Sequence, residues 1–89
     1  MIPRFRLGLY TITPEAARVI EESGQESTYF LIRHMRGDWG SISAEETARN
    51  DAAITSGGEL RSVYKTLLGK TIWIVTSADR RKTTVMLAG

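Results

Sequence analysis

The most chemically specialised stretch of this sequence is residues 33–40, which reads Arg-His-Met-Arg-Gly-Asp-Trp-Gly. It holds His34, the only histidine of the chain, followed closely by Asp38 and Trp39. A histidine late in a predicted helix with an aspartate four residues on has the skeleton of a general acid or base. The alternative is structural, with His34 and Asp38 capping turns and Trp39 filling the core. One histidine without a nucleophile favours the structural interpretation.

A second group of candidate residues is the basic turn at residues 79–82, which contains Asp79, Arg80, Arg81 and Lys82. Two threonines follow it, so cations and hydroxyls lie together and would suit a phosphate. The alternative is a solvated turn that Asp79 initiates. The sequence does not separate these two interpretations.

The composition excludes several kinds of site. The chain has no cysteine, which rules out disulfides, thiolate zinc sites and cysteine nucleophiles. With one histidine and scattered carboxylates, we expect no metal site and no cofactor. Neither Gly57-Gly58 nor the glycine pair at residues 37 and 40 has the spacing and context of a phosphate-binding loop.

Length and hydropathy predict a single small domain over residues 1–89. An apolar share of 42% and a charged share of 25% are ordinary for a globular protein. No apolar run approaches the roughly 20 residues of a membrane-spanning helix. The sequence therefore predicts a cytoplasmic protein that does not associate with membranes.

Charge is distributed unevenly along the chain. Residues 13–59 contain nine acidic residues and four arginines, whereas residues 60–89 contain six basic residues and Asp79. The basic part, at residues 61–82, could contact nucleic acid. Alternatively, the two halves neutralise each other where they pack.

Three helices are predicted in the first two thirds of the chain. Thr13 and Pro14 are typical of a helix start, and Ser43 has the spacing of a capping box with Glu46. Ser27 is the predicted N-cap of the helix between them. Residues 4–12 precede the helices and alternate as an extended segment.

The last third of the chain predicts three strands, at residues 60–67, 71–77 and 83–87, with connections short enough for hairpins. The predicted fold class is α+β: an N-terminal extended segment and two to three helices, with a three-stranded antiparallel meander packed on them. One set of strand residues is predicted to face the helices, and alternation then places another set on the opposite face. The first set is Val63, Ile72, Ile74, Val85 and Leu87. That second set is Ser62, Tyr64, Trp73, Val75 and Met86. An exposed aromatic face predicts either a homodimer or another protein partner, or a platform for stacking bases.

The order of several motifs resembles a known family. The pieces are Thr13-Pro14, Arg33-His34, Gly37-Asp38-Trp39-Gly40, Asn50-Asp51, Gly57-Gly58, Ser62-x-Tyr64, Trp73-x-x-Thr76, Asp79-Arg80 and Thr83-Thr84. Together they resemble a family of small uncharacterised proteins carried on plasmids, phages and other mobile elements, often called plasmid-related. The resemblance covers nearly the whole chain and implies a mobile-element context, with no established chemistry.

Three functions remain open from the sequence. The first is a non-enzymatic accessory protein that binds a macromolecule or itself, in which Asp38 and Arg80 pair or cap and Trp39 anchors a partner or the core. The second is a metal-independent ribonuclease of the toxin type, with His34, Tyr64 and Arg80 as catalytic candidates. The third is a nucleic-acid binder using the basic sheet. The candidate binding residues are Arg36, Asp38, Trp39, Trp73, Asp79, Arg80 and Arg81.

Overall fold

Three helices and four strands make up the fold, which a computed structural model describes for residues 2–88. This confirms the predicted α+β class. The elements follow one another as β1 (Leu9–Ile12), α1 (Pro14–Glu22), α2 (Ser27–Met35), α3 (Ala44–Ser56), β2 (Leu60–Lys65), β3 (Thr71–Thr76) and β4 (Lys82–Leu87).

Local signals in the sequence set the helix ends. The Thr13 hydroxyl accepts a hydrogen bond from the Ala16 amide at 3.2 Å, so α1 begins as predicted. Ser43 and Glu46 form the predicted capping box of α3. The prediction for α2 is wrong by one residue, because Glu26 holds the N-cap position and Ser27 is already helical.

The sheet is four-stranded and mixed, with strand order β1-β4-β3-β2. The predicted antiparallel meander is present as β2, β3 and β4. The predicted sheet lacks one strand, because β1 also joins the sheet by pairing parallel to β4. This pairing unites the two ends of the chain, and local sequence periodicity carries no signal for it.

The N-terminal strand is shorter than the sequence predicted, since it begins only at Leu9. Gly8 interrupts the extended segment with a φ of +67°, and a side chain there would collide with the Arg81 carbonyl. Only glycine fits so close to another backbone with that φ. The chain before Gly8 instead packs Phe5 into the core.

The helices cover one face of the sheet, and the main core lies between them. Ile72, Ile74 and Val85 are fully buried there with α1 and α2 residues, as predicted. The prediction for β2 is wrong, because Ser62 and Tyr64 are buried while Val63 is only half-buried. Alternation and register place Val63 beside Trp73 on the other side of the sheet.

That other side of the sheet is called the open face below. Its residues are half-buried or exposed, and in β2, β3 and β4 they alternate with buried ones. They are Leu9 and Thr11 of β1, Arg61, Val63 and Lys65 of β2, Thr71, Trp73 and Val75 of β3, and Lys82, Thr84 and Met86 of β4. Among the helices that the structure describes, none has the length and apolar character needed to cross a bilayer.

Candidate functional site

His34, the first catalytic candidate, lies inside the protein. Its side chain is fully buried on the inner side of α2. The Nδ1 atom lies 2.5 Å from the Ser62 hydroxyl, and Nε2 lies 2.9 Å from the Thr76 hydroxyl. Both ring nitrogens are therefore occupied by protein groups.

The hydroxyl network around His34 fixes the position of each proton. Thr83 donates its hydroxyl proton to the Leu7 carbonyl at 2.7 Å, so Thr83 must accept from Thr76 at 2.8 Å. Because the Thr76 hydroxyl donates its proton to Thr83, its oxygen accepts a hydrogen bond from His34, whose proton is therefore on Nε2. The Nδ1 atom, which carries no proton, accepts from Ser62. One directed chain of hydrogen bonds thus joins β2, α2, β3, β4 and the N-terminal segment.

The surroundings of His34 favour its neutral form. Burial and, secondarily, the positive charge of Arg80 lower the pKa of His34 to about 3. A protonated ring would also have to donate from Nδ1, where it now accepts from Ser62. His34 is thus a neutral member of the core near pH 7.

Trp39 lies in a buried aromatic cluster with Phe5 and His34. The Phe5 ring stacks on Trp39 at 5.9 Å between centroids, and it meets His34 edge-on at 5.0 Å. The Trp39 indole donates to Asp51 at 3.0 Å, and the Trp39 side chain is 3% exposed. Trp39 therefore fills the core, in agreement with the structural interpretation of residues 33–40.

Asp38 pairs with Arg33 instead of Arg80. The Arg33 guanidinium donates to both Asp38 carboxylate oxygens, at 2.8 and 3.2 Å, and holds the pKa of Asp38 below its ordinary value. Of the two predicted alternatives for Asp38 and Arg80, pairing or capping, the pair does not form, because Asp38 binds Arg33, which lies five positions earlier in α2. Arg36, beside them, is exposed at the end of α2.

Tyr64 is buried beneath the same loop. Its hydroxyl donates to the Asp38 carbonyl at 2.5 Å, and the Arg33 guanidinium lies 4.6 Å from its ring. Burial raises the pKa of Tyr64, which keeps the phenol protonated. Tyr64 thus holds the chain after α2 against β2.

Arg80 caps a helix. Its guanidinium donates to the Ala53 carbonyl in the last turn of α3 at 2.8 Å, and to the Gly58 carbonyl just beyond at 2.6 Å. The Ala53 carbonyl also accepts from the Gly57 amide at 2.8 Å, so Arg80 adds a second, charged donor at the C-terminal end of α3, where the helix dipole favours a cation. The guanidinium carbon also lies 5.9 Å from the Phe5 ring centroid, so Arg80 and His34 contact the same aromatic ring.

The rest of the basic turn divides between internal contacts and solvent. Asp79 accepts from the Ser77 hydroxyl at 2.7 Å and from the Arg81 amide at 3.0 Å. Asp79 therefore orders the turn, as the structural alternative predicted. With Arg80 turned inward, the Arg81 and Lys82 side chains are the cations exposed at this turn.

Asn50 is a structural residue that the sequence interpretation missed. It is 6% exposed and bonds both backbone groups of Arg61, at 2.8 and 3.3 Å. It thereby ties α3 to β2. The only signal in the sequence is an asparagine within a helix, where its propensity is low.

The open face is the surface on which polar and aromatic groups remain available. Val63, Trp73 and Met86 lie side by side across β2, β3 and β4 and form an apolar strip. The Arg61 guanidinium carbon lies 5.1 Å from the Trp73 ring, and its Nη2 atom pairs with Glu46 at 2.7 Å.

The charged side chains that the strands place on the open face are all basic, and one of them, Arg61, is paired with Glu46 of α3. The strand segments contain Arg61, Lys65 and Lys82 and no acidic residue. Lys65 ends β2 and Lys82 begins β4, so the two exposed lysines lie toward opposite ends of the apolar strip. Such a face can hold an extended anionic chain with apolar or aromatic groups at its centre.

Within residues 2–88, no three side chains of histidine, aspartate or glutamate lie close enough together to hold a metal ion. The chain matches no protein-family model, and neither a curated protein nor a solved structure matches it. Assignment of a function therefore depends on the geometry of this chain.

Proposed function

We propose that this protein is a non-enzymatic binding module that engages a macromolecule through the open face of its sheet. The observation that carries the proposal is the burial of His34, whose two ring nitrogens are both bonded to hydroxyls inside the core. In line with the family resemblance of the sequence, we place this module among the accessory proteins of mobile genetic elements.

The ribonuclease alternative has less support. Metal-free cleavage requires a base and an acid that reach the 2′-hydroxyl and the phosphate of the substrate. His34 and Tyr64 are both buried, and Arg80 is bonded to backbone carbonyls. Exposing these three groups together would require opening the core.

Single-stranded nucleic acid is the partner class that the charge of the open face favours. Stacking on an aromatic ring such as Trp73 tolerates any base, and lysines at the two ends of the strip suit a phosphate backbone. Glu46 of α3 pairs with Arg61, so the binding depends on the two lysines, Lys65 and Lys82.

The binding test measures polarisation of a labelled single-stranded oligonucleotide, as RNA and as DNA, across a range of salt concentrations. We expect affinity to fall as salt rises and to drop in Trp73→Ala and in the double variant K65Q/K82Q. Tyr29→Ala and Arg18→Gln are the matched controls, because both residues are exposed on the helical layer. Equal binding by all variants, or no binding by the wild type, would remove nucleic acid as the partner.

The same samples test the absence of catalysis. RNA incubated with protein in chelator is examined on a denaturing gel, with His34→Gln as the paired variant. We expect intact RNA from both proteins. Cleavage by the wild type that disappears in a folded His34→Gln protein would overturn the proposal and establish the ribonuclease.

A further inference from the structure

The two edges of the sheet are not equivalent. At the β2 edge, Val63 donates its amide to the Trp39 carbonyl at 3.0 Å and accepts from the Ser41 amide at 2.7 Å, so the chain itself covers that edge. At the other edge, the amides of Leu9 and Thr13 point inward to β4. Because hydrogen bonding alternates along a strand, the N–H and C=O groups of Tyr10 and Ile12 point outward.

The β1 edge lacks the features that usually prevent strand pairing. Its sequence, Leu-Tyr-Thr-Ile, contains no charge and no proline. Leu9 is 82% exposed and Tyr10 is 52% exposed, so apolar side chains accompany the free backbone groups.

The extended segment is also symmetric about its centre. Gly8, with its φ of +67°, interrupts the strand on one side, and Pro14 begins α1 on the other. Thr11 lies three residues from each. When a second copy pairs antiparallel with this strand about Thr11, Tyr10 of each copy lies opposite Ile12 of the other. These two pairs together form four backbone hydrogen bonds.

A groove beside β1 fits one side chain of such a partner. It has a volume of about 340 Å³ and is lined by Ile12, Ala17 and Ile20, with Glu21 also contributing to its wall. In the symmetric register, Tyr10 of a second copy lies opposite Ile12 and on the helical side of the sheet. Its ring would enter this groove, where Glu21 offers an acceptor for the hydroxyl.

The charges that flank the strand favour the same arrangement. Arg6 precedes it and Glu15 follows it, and both are exposed. Antiparallel pairing brings Arg6 of each copy toward Glu15 of the other, whereas parallel pairing would place like charges together.

We propose that the partner at this edge is a second copy of the chain, which pairs antiparallel through β1 about Thr11 and inserts Tyr10 into the groove beside Ile12. The pairing yields a two-fold dimer with a continuous eight-stranded sheet. It uses an edge separate from the face proposed to bind nucleic acid, so either proposal can fail without the other. In the dimer the two open faces become continuous.

The first experiment measures the mass of the wild-type chain by sedimentation equilibrium over a hundredfold range of concentration. We expect a shift from the 9.9 kDa monomer toward twice that mass. Tyr10→Ala should raise the dissociation constant of the dimer by roughly tenfold or more, since each dimer loses two buried rings. Tyr29→Ala is the matched control, because Tyr29 is also 52% exposed but lies on α2. A monomer at every concentration would overturn the proposal.

The second experiment tests the register, using the absence of cysteine from the natural chain. Thr11→Cys places two thiols across the two-fold axis at a non-hydrogen-bonded pair, where Cα atoms lie about 4.5 Å apart and a disulfide fits. Leu9 is also exposed, but two copies of Leu9→Cys would lie about 13 Å apart along the strands. We expect mild oxidation to cross-link Thr11→Cys and to leave Leu9→Cys reduced. A dimer that cross-links both or neither has a different interface and would refute this register.

Discussion

Lowering the pH from 7 to 5 should destabilise this protein, mainly through His34. The pKa of His34 is lowered to about 3 in the folded chain, whereas an unfolded histidine has a pKa near 6.5. Below pH 6.5 the histidine of the unfolded chain becomes protonated, whereas His34 of the folded chain stays neutral. Proton uptake by the unfolded state favours unfolding, so stability must fall as the pH falls toward 3.

The size of this effect follows from the two pKa values. Between pH 7 and pH 5 the free energy of unfolding falls by about 2 kcal/mol, because the histidine of the unfolded chain changes from mostly neutral to almost fully protonated. A domain of this size has a total stability of roughly 5–10 kcal/mol, so the loss is a large share. Carboxylates contribute little in this window, since their ordinary pKa values lie near 4, and an α-amino group titrates mostly above pH 7.

Urea denaturation at pH 7, 6 and 5 measures this loss. With a urea dependence of about 1–2 kcal/mol per molar for a small domain, the midpoint should fall by about 1–2 M. His34→Gln is the control, because the chain then contains no histidine and its midpoint should not change over the same range.

An independent measurement in the folded protein uses the imidazole proton resonances. We expect them to keep the chemical shifts of the neutral, Nε2-protonated ring at pH 5. A folded-state titration near pH 6.5, or an unchanged urea midpoint between pH 7 and 5, would refute the description of His34 as a desolvated, doubly bonded core residue.

Two further predictions concern stability and use paired variants. Arg80→Ala should lower the stability by about 1–3 kcal/mol, because it removes charge-assisted hydrogen bonds to the Ala53 and Gly58 carbonyls, whereas Arg81→Ala should change it by less than about 0.5 kcal/mol. Thermal unfolding separates them, and equal melting temperatures would contradict the capping role. Gly40→Ala should prevent folding or lower the melting temperature far more than Gly24→Ala. Both glycines have φ near +77°, but only at Gly40 does the new methyl collide with the Val63 carbonyl. Similar losses from both variants would show that backbone strain alone decides the cost.

The sheet shows which signals the sequence carries and which it does not. The faces of β3 were predictable, because Ile72 and Ile74 alternate with less buried residues and are the most apolar choice for the core. The face of β2 was not, because hydropathy places Val63 inside and Ser62 outside. The actual orientation depends on hydrogen bonds from Ser62 to His34 and from Tyr64 to the Asp38 carbonyl. These partners lie 28 and 26 residues away, outside the reach of any local pattern.

The candidate site shows the same division. The N-caps of α1 and α3 depend on neighbours within a few residues, and the sequence predicted them. The role of His34 depends on Thr76, which lies 42 residues away, and on a chain of hydroxyls that continues through Thr83 to the Leu7 carbonyl. Because the residues near His34 in the sequence do not include Thr76, they do not indicate whether His34 is an acid–base catalyst or a core residue.

The composition of residues 33–40 therefore has a structural cause that does not require catalysis. His34, Asp38 and Trp39 each have a specific partner within the fold, and removing any one would leave a polar group without its hydrogen bond. Such partners constrain residue identity, because each hydrogen bond is kept only while both of its members are present. Function is then better sought where side chains lack internal partners, which in this fold means the lysines of the open face and the outward backbone groups of β1. Those residues are ordinary in type, and only their position in the assembled sheet distinguishes them.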